Sequence, residues 1–174
     1  MRKYSSKGNH FVYEVLKMME ALEDARKELI RVDHLVYVSL KYTRTVDMIK
    51  HVIGRLISAY DFLNHALLLY SKEQKKINEI PDTPWLKREK LMELFKDDET
   101  IIKNIQIYAL LRKIDKVEEY QSSREFRRHV TMTSEIDGKE VKVDIDAIYE
   151  CYNGLQEFNE YVKKMIEGEE EEDV

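Results

Sequence analysis

Four polar residues of this sequence are spaced so that one face of a helix could carry them and act on a phosphate group. Arg44 and His51 are seven positions apart, so on an α-helix their directions differ by only about 20°. Asp47 lies four residues before His51 and Arg55 four residues after it, which extends the same stripe. In such a site Asp47 would orient the imidazole, His51 would exchange a proton and the two arginines would stabilise phosphate charge. The alternative is a solvated face held together by salt bridges.

A second arginine–histidine pair lies in the sequence REFRRH, where four residues separate Arg124 from His129. The residues after it predict a β-hairpin, and an odd offset along a strand sends two side chains to opposite faces of the sheet. We therefore expect His129 on the polar face of the hairpin with Thr131 and Thr133, and no site shared with Arg124.

Both pairs resemble the arginine–histidine motif of HEPN domains. The sequence RTVDMIKH places six residues between Arg44 and His51, and REFRRH repeats the pattern with a shorter gap. HEPN domains are all-α bundles in which such a pair often meets its symmetry mate across a dimer cleft and forms a metal-independent ribonuclease. The resemblance implies an all-α fold, a homodimer, and RNA as a ligand.

Other common catalytic and cofactor-binding patterns are absent from the sequence. It contains no His-Glu-x-x-His or Cys-x-x-Cys motif and no nucleophile elbow. The five histidines are scattered, and the five glycines form no phosphate-binding loop. We therefore expect no cofactor and no metal.

The eleven tyrosines have two interpretations. Tyr60, Tyr108 and Tyr152 lie on predicted apolar helix faces, where tyrosine usually packs in the core with its hydroxyl paired. The run Lys41–Tyr42–Thr43–Arg44 instead places an aromatic ring beside basic residues, a combination that single-stranded RNA-binding proteins use.

Apolar residues at steps of three and four predict a bundle of five or six helices. The second segment is either one long helix or two helices joined near KYTRT, where Thr45 would form a cap. The predicted limits are, in order, Asn9 to about Arg31, Asp33 to Ser71, Trp85 to about Asp97, a helix that starts after Asp98, and a last helix capped by Asp144 or Asp146.

A β-hairpin over about residues 129–145 is predicted before the last helix. Asp137–Gly138 is a strong two-residue turn signal, because both positions favour positive φ. Pairing outward from this turn places apolar residues opposite one another on one face and polar residues opposite one another on the other. The expected pairs are Ser134–Val141, Met132–Val143 and Val130–Ile145 on the first face, and Thr131–Asp144 and Thr133–Lys142 on the second.

The amino-acid composition indicates what kind of protein this is. Charged residues make up 36% and apolar residues 43% of the 174 residues, with only five Gly and two Pro, a mixture that is typical of a helical protein, with a lean towards thermophile composition. The net charge of −5 means that no overall positive field would attract nucleic acid. The single cysteine, Cys151, is expected to be buried and the protein to be cytoplasmic, since no signal peptide or membrane-spanning run occurs. We expect one domain over residues 1–166 and an acidic disordered tail over 167–174.

The predicted function is that of a non-catalytic binding or scaffold protein acting as a homodimer, with a further protein as a candidate partner and no contact with membranes. The alternative is HEPN-like binding or metal-independent cleavage of RNA through the polar stripe of Arg44, Asp47, His51 and Arg55.

Overall fold

A computed structural model describes residues 6–168 as an α-helical bundle that carries a small antiparallel sheet before its last helix. This confirms the predicted fold class. The elements are α1 (Ser6–His34), a π-helical turn (Leu35–Ser39), α2 (Leu40–Tyr42), α3 (Val46–Glu73), α4 (Pro84–Leu94), α5 (Glu99–Asp115), β1 (Gln121–Ser123), β2 (Thr131–Ile136), β3 (Lys139–Asp144) and α6 (Ile145–Glu167).

Four of the helices begin at a residue whose side-chain oxygen caps the first turn. Thr45, Thr83, Asp98 and Asp144 each accept a hydrogen bond from the backbone N–H three positions later, at 2.8–3.3 Å. Such caps satisfy N–H groups that have no partner within the helix. Of the two candidate caps for the last helix, Asp144 is the one used.

The predicted boundary between the first helix and the second segment is wrong. Instead of ending near Arg31, α1 continues through the π-helical turn into α2, because no Gly or Pro interrupts the chain there. The break occurs at residues 43–45, where Thr45 is extended (φ −121°, ψ 156°). Of the two possibilities for KYTRT, the interruption with a Thr45 cap is observed. Helix α4 also ends earlier than predicted, at Leu94.

The core is one continuous cluster centred on α3, which packs against α1, α4, α5 and α6. Two glutamates of α1, Glu14 and Glu28, are each only 5% exposed. Glu14 pairs with Lys72 at 3.4 Å and Glu28 with Arg55 at 3.6 Å, both on α3. Because a buried carboxylate without a partner is costly, these two pairs fix how α1 lies along α3.

The sheet has the strand order β1–β2–β3, and the β2–β3 register agrees with the prediction from Thr131–Asp144 through Ser134–Val141. Pairing stops at Thr131–Asp144, since Ile145 already belongs to α6. The sequence did not predict β1, whose three residues are polar and exposed and so show no alternation.

Of the predicted acidic tail, Glu167 and Gly168 lie within the described residues and the rest lies outside them. Glu167 is the last residue of α6, and Gly168 follows it. In the described part of the chain, every helix is too short or too polar to span a membrane.

Candidate functional site

The two arginine–histidine segments of the sequence meet at one end of the bundle. The loop of residues 124–130 docks on the residues that precede α3, where the Phe126 N–H donates a 2.7 Å hydrogen bond to the Arg44 carbonyl oxygen. The Glu125 carboxylate accepts from the Val46 N–H, which lies 3.3 Å from each of its oxygens. Glu125 of the REFRRH segment therefore caps the N-terminus of α3, the helix that follows Arg44.

A cavity of about 370 Å³ lies at this junction, and we call it the basic cavity. Its volume falls within the range of small-ligand sites, about 300–1,000 Å³. Two tyrosines and two apolar side chains accompany four basic and two acidic residues. The lining residues are Tyr37, Leu40, Lys41, Arg44, Arg128, His129, Asp144, Ile145, Asp146 and Tyr149.

The backbone on both sides of the basic cavity departs from regular geometry. On one side is the π-helical turn, a feature that occurs frequently at functional sites. On the other side Arg124 (φ 55°) and Phe126 (φ 64°) are left-handed, a conformation that costs a non-glycine residue about 1–2 kcal/mol. The bond from Phe126 to Arg44 helps to hold this loop, which also carries the cavity residues Arg128 and His129.

Two exposed aromatic rings belong to residues that adjoin the lining of the cavity. Tyr42 is 78% exposed and Phe126 is 77% exposed. Tyr42 lies two positions before Arg44, and the Phe126 amide is bonded to that same residue. Rings left in water beside basic side chains provide stacking surfaces for unpaired bases.

Tyr37 and Tyr149 form an aromatic wall of the cavity. Their ring centroids are 5.5 Å apart, and Tyr37 also meets the Tyr152 ring edge-on at 6.1 Å. The Tyr152 hydroxyl donates to Asp33 at 2.7 Å. Burial, and then this bond, raise the pKa of Tyr152 well above its usual value. The same bond anchors the ring against which Tyr37 packs.

The two acidic residues of the cavity differ in their contacts. An oxygen of Asp144 accepts from the Ala147 N–H at 2.8 Å and so caps α6. Asp146 is exposed in the first turn of α6 and makes no hydrogen bond or ion pair with any residue from 6 to 168. Its carboxylate is therefore free to accept hydrogen bonds from a ligand.

The four residues of the predicted polar stripe, Arg44, Asp47, His51 and Arg55, do not share one helix. Asp47 and His51 are exposed on α3, as expected, but Arg44 lies before the Thr45 cap and is not on the helix. The prediction that Arg44 shares a helix face with His51 is wrong, because Thr45 adopts an extended conformation there. Arg55 points towards the buried Glu28 of α1, at 3.6 Å.

Arg124 and His129 lie in the loop between β1 and β2, so the prediction that His129 is on the polar face of a strand is wrong. His129 lines the basic cavity and Arg124 does not. Sequence reasoning missed Arg128, Tyr37 and Tyr149 as site residues. The basic and aromatic run around Tyr42 and the two arginine–histidine spacings each pointed to part of this location, but none of them predicted that the parts meet.

The other residues that the sequence singled out, three tyrosines and the cysteine, are buried or half-buried in the bundle. Tyr60, Tyr108 and Tyr152 are buried, as predicted. Cys151 is half-buried, and burial raises the pKa of its thiol, which keeps it protonated. Within residues 6–168, no cluster of three His, Cys, Asp or Glu side chains could hold a metal ion.

No protein-family model, no curated protein and no solved structure matches this chain. Its function is therefore inferred from the side chains of the basic cavity.

Proposed function

We propose that this protein binds single-stranded RNA in and around the basic cavity and does not cleave it. The observation that carries the proposal is that Arg44 and Arg128, from distant parts of the chain, line one cavity whose adjoining residues include the exposed aromatic side chains of Tyr42 and Phe126. Arginines that hold phosphates, together with rings that stack on bases, form the usual surface for an unpaired strand.

Local charge supports this proposal better than the net charge of the protein. Lys41, Arg44 and Arg128 carry three positive charges on the cavity wall, against two from Asp144 and Asp146. Arg124 and Arg127 are exposed in the adjoining loop and extend the positive surface. A local patch of this kind can bind a polyanion while the molecule as a whole is acidic.

The test is binding of a fluorescein-labelled oligouridylate, measured by anisotropy at several salt concentrations. Replacing Arg44 and Arg128 together by Ala should weaken binding by about tenfold or more and make the salt dependence shallower. The matched control is Lys163→Ala with Lys164→Ala, which removes two exposed positive charges from the opposite end of α6. Equal weakening in both double variants would contradict the assignment to the cavity.

Metal-independent RNA cleavage, as in HEPN domains, is the second candidate function. The observation in its favour is that an arginine and a histidine, Arg44 and His129, line the same cavity. Cleavage of labelled RNA in EDTA that is lost in His129→Ala would support it, with His129 as the group that exchanges a proton. Loss in His51→Ala would instead support the stripe with Asp47. Intact RNA after incubation with the wild-type protein favours binding without catalysis.

We further propose that the protein is a homodimer formed through the N-terminal half of α1. Five large apolar side chains lie exposed there over nine residues, each 52–59% accessible: Phe11, Val12, Tyr13, Leu16 and Met19. Val12, Leu16 and Met19 lie within about 60° of one another around the helix, and an exposed apolar patch of this kind often marks an interface. The same patch on two copies can meet about a twofold axis, which is the commonest form of association.

A further inference from the structure

We infer that the basic cavity reads the ribose 2′-hydroxyl of a bound nucleotide through Asp146, and so selects RNA over DNA. This inference rests on the proposed function and names the chemistry by which the same site would choose its ligand.

The presence of Asp146 in the cavity requires a reason. A carboxylate beside Arg44 and Arg128 repels phosphate and lowers the affinity for any polyanion. Asp144 is accounted for by its cap on α6, but Asp146 has no protein partner in the described chain. A carboxylate only accepts hydrogen bonds, so the ligand that suits it brings a donor as well as phosphates.

The dimensions and walls of the cavity fit one nucleotide. Its volume of about 370 Å³ is that of a small-ligand site. Tyr37 and Tyr149 provide the aromatic surface, and Lys41, Arg44 and Arg128 provide the cations. A nucleotide presents a flat ring, a phosphate and a sugar, and the donor that distinguishes its RNA form is the 2′-hydroxyl.

Asp146 is suited to this contact by its position. It lies in the first turn of α6 and is exposed, so it can reach a ligand bound in the cavity that it lines. Dinucleotide-binding folds likewise use an acidic side chain to accept a hydrogen bond from a ribose hydroxyl. A hydrogen bond to a charged acceptor is strong enough to change affinity by about tenfold.

The experiment compares three labelled oligouridylates of equal length: the ribose form, the 2′-deoxy form and the 2′-O-methyl form. Wild-type protein should bind the ribose form about tenfold more tightly than the other two, because the deoxy sugar lacks the hydroxyl and the methyl ether lacks its donor. Asp146→Ala should remove this preference while it keeps or increases affinity for the deoxy form, since a negative charge is lost. Glu150→Ala, one turn later on α6 and outside the cavity, should keep the preference.

The outcomes separate this inference from the proposed function. Equal binding of all three oligonucleotides by wild-type protein overturns the ribose contact and leaves RNA binding intact. A preference that survives in Asp146→Ala does the same. Failure to bind any of the three overturns both.

Discussion

The backbone N–H of Phe126 donates a 2.7 Å hydrogen bond to the carbonyl oxygen of Arg44, and this contact joins the loop between β1 and β2 to the residues that precede α3. Glu125 strengthens the joint, because its carboxylate accepts from the Val46 N–H. The N-terminus of α3 is thus capped locally by Thr45 and at long range by Glu125, and the geometry of the basic cavity depends on both.

Glu125→Ala should therefore weaken both stability and ligand binding. Loss of a cap at a helix N-terminus costs about 1 kcal/mol, and the loop that carries Arg128 loses one of its attachments to α3. We expect a lower melting temperature together with a severalfold lower affinity for oligouridylate. Glu118→Ala is the control, since Glu118 is exposed and has no ion pair in the part of the chain that the structure describes. An affinity unchanged in Glu125→Ala would show that the cavity forms without this joint.

Two glycines should respond in opposite directions to replacement by alanine. Gly138 has φ +76° in the hairpin turn, so Gly138→Ala should destabilise the protein by about 1 kcal/mol. Gly154 lies within α6, and a Cβ added there meets no atom within 4 Å. Gly154→Ala should therefore stabilise by about 0.5–1 kcal/mol. Urea denaturation measures both, and two changes of the same sign would contradict the turn geometry or the helix assignment.

Loss of the Tyr60 hydroxyl should lower the free energy of unfolding more than loss of the hydroxyl of a surface tyrosine. Tyr60 is 1% exposed and donates to Asn104 at 3.0 Å in the core. Tyr60→Phe leaves the Asn104 oxygen buried without this donor, which should cost about 1–2 kcal/mol. Tyr161 donates to Asp98 at 2.6 Å but is 37% exposed, so Tyr161→Phe should cost less than about 0.5 kcal/mol because water replaces the lost bond. Chemical denaturation of the two variants tests the contrast.

Association through α1 can be tested with one added charge. Leu16 is 59% exposed in the apolar patch, so Leu16→Glu should convert a dimer to a monomer while it leaves the fold unchanged. Ile30→Glu is the matched control, because Ile30 is 55% exposed on the same helix but outside the patch. Light scattering gives the mass of each variant, and circular dichroism checks its helix content. A monomeric wild-type protein, or a dimer that persists in Leu16→Glu, would contradict this interface.

The free energy of unfolding should fall as the pH is lowered, because the unfolded chain takes up a proton at His65 more readily than the folded chain does. Burial, with smaller contributions from the ammonium groups of Lys87 and Lys17, lowers the pKa of this imidazole. The unfolded chain, with a pKa of about 6.5, therefore binds a proton at a pH where the folded chain does not. The stability present above that value is lost as the pH falls towards the folded pKa.

His65→Gln should consequently show a smaller drop in melting temperature than wild type between neutral and mildly acidic buffer. The exposed His34 provides the control variant, His34→Gln, which should keep the drop of the wild-type protein. Equal drops in wild type and His65→Gln would show that the other titrating groups account for the pH dependence.

The sequence predicted those parts of the fold that depend on residues close together in the chain. Apolar periodicity, the caps at Thr45 and Asp144, and the turn at Asp137–Gly138 act over a few residues, and each appears where expected. The continuation of α1 through the π-helical turn was not predictable, because such a turn has no strong sequence signal and is stabilised by tertiary packing.

The candidate site was predictable only in fragments. Arg44 and His129 each belong to a pair with a recognisable spacing, but that spacing describes two residues within one element. Their proximity in the cavity depends on a loop that closes onto the start of α3 through Phe126 and Glu125. Contacts of this kind join residues far apart in the chain, and no spacing rule for one helix or strand can reveal them.

The π-helical turn at Leu35–Ser39 has a consequence for how such a site can arise. A turn of this type holds one residue more than the α-helical turn it replaces, and each extra residue rotates the rest of the helix by about 100°. Residues before it keep their face on α3, while Lys41, after it, lines the basic cavity. By this geometry, a single extra residue within a helix is sufficient to turn the residues that follow it towards a different surface.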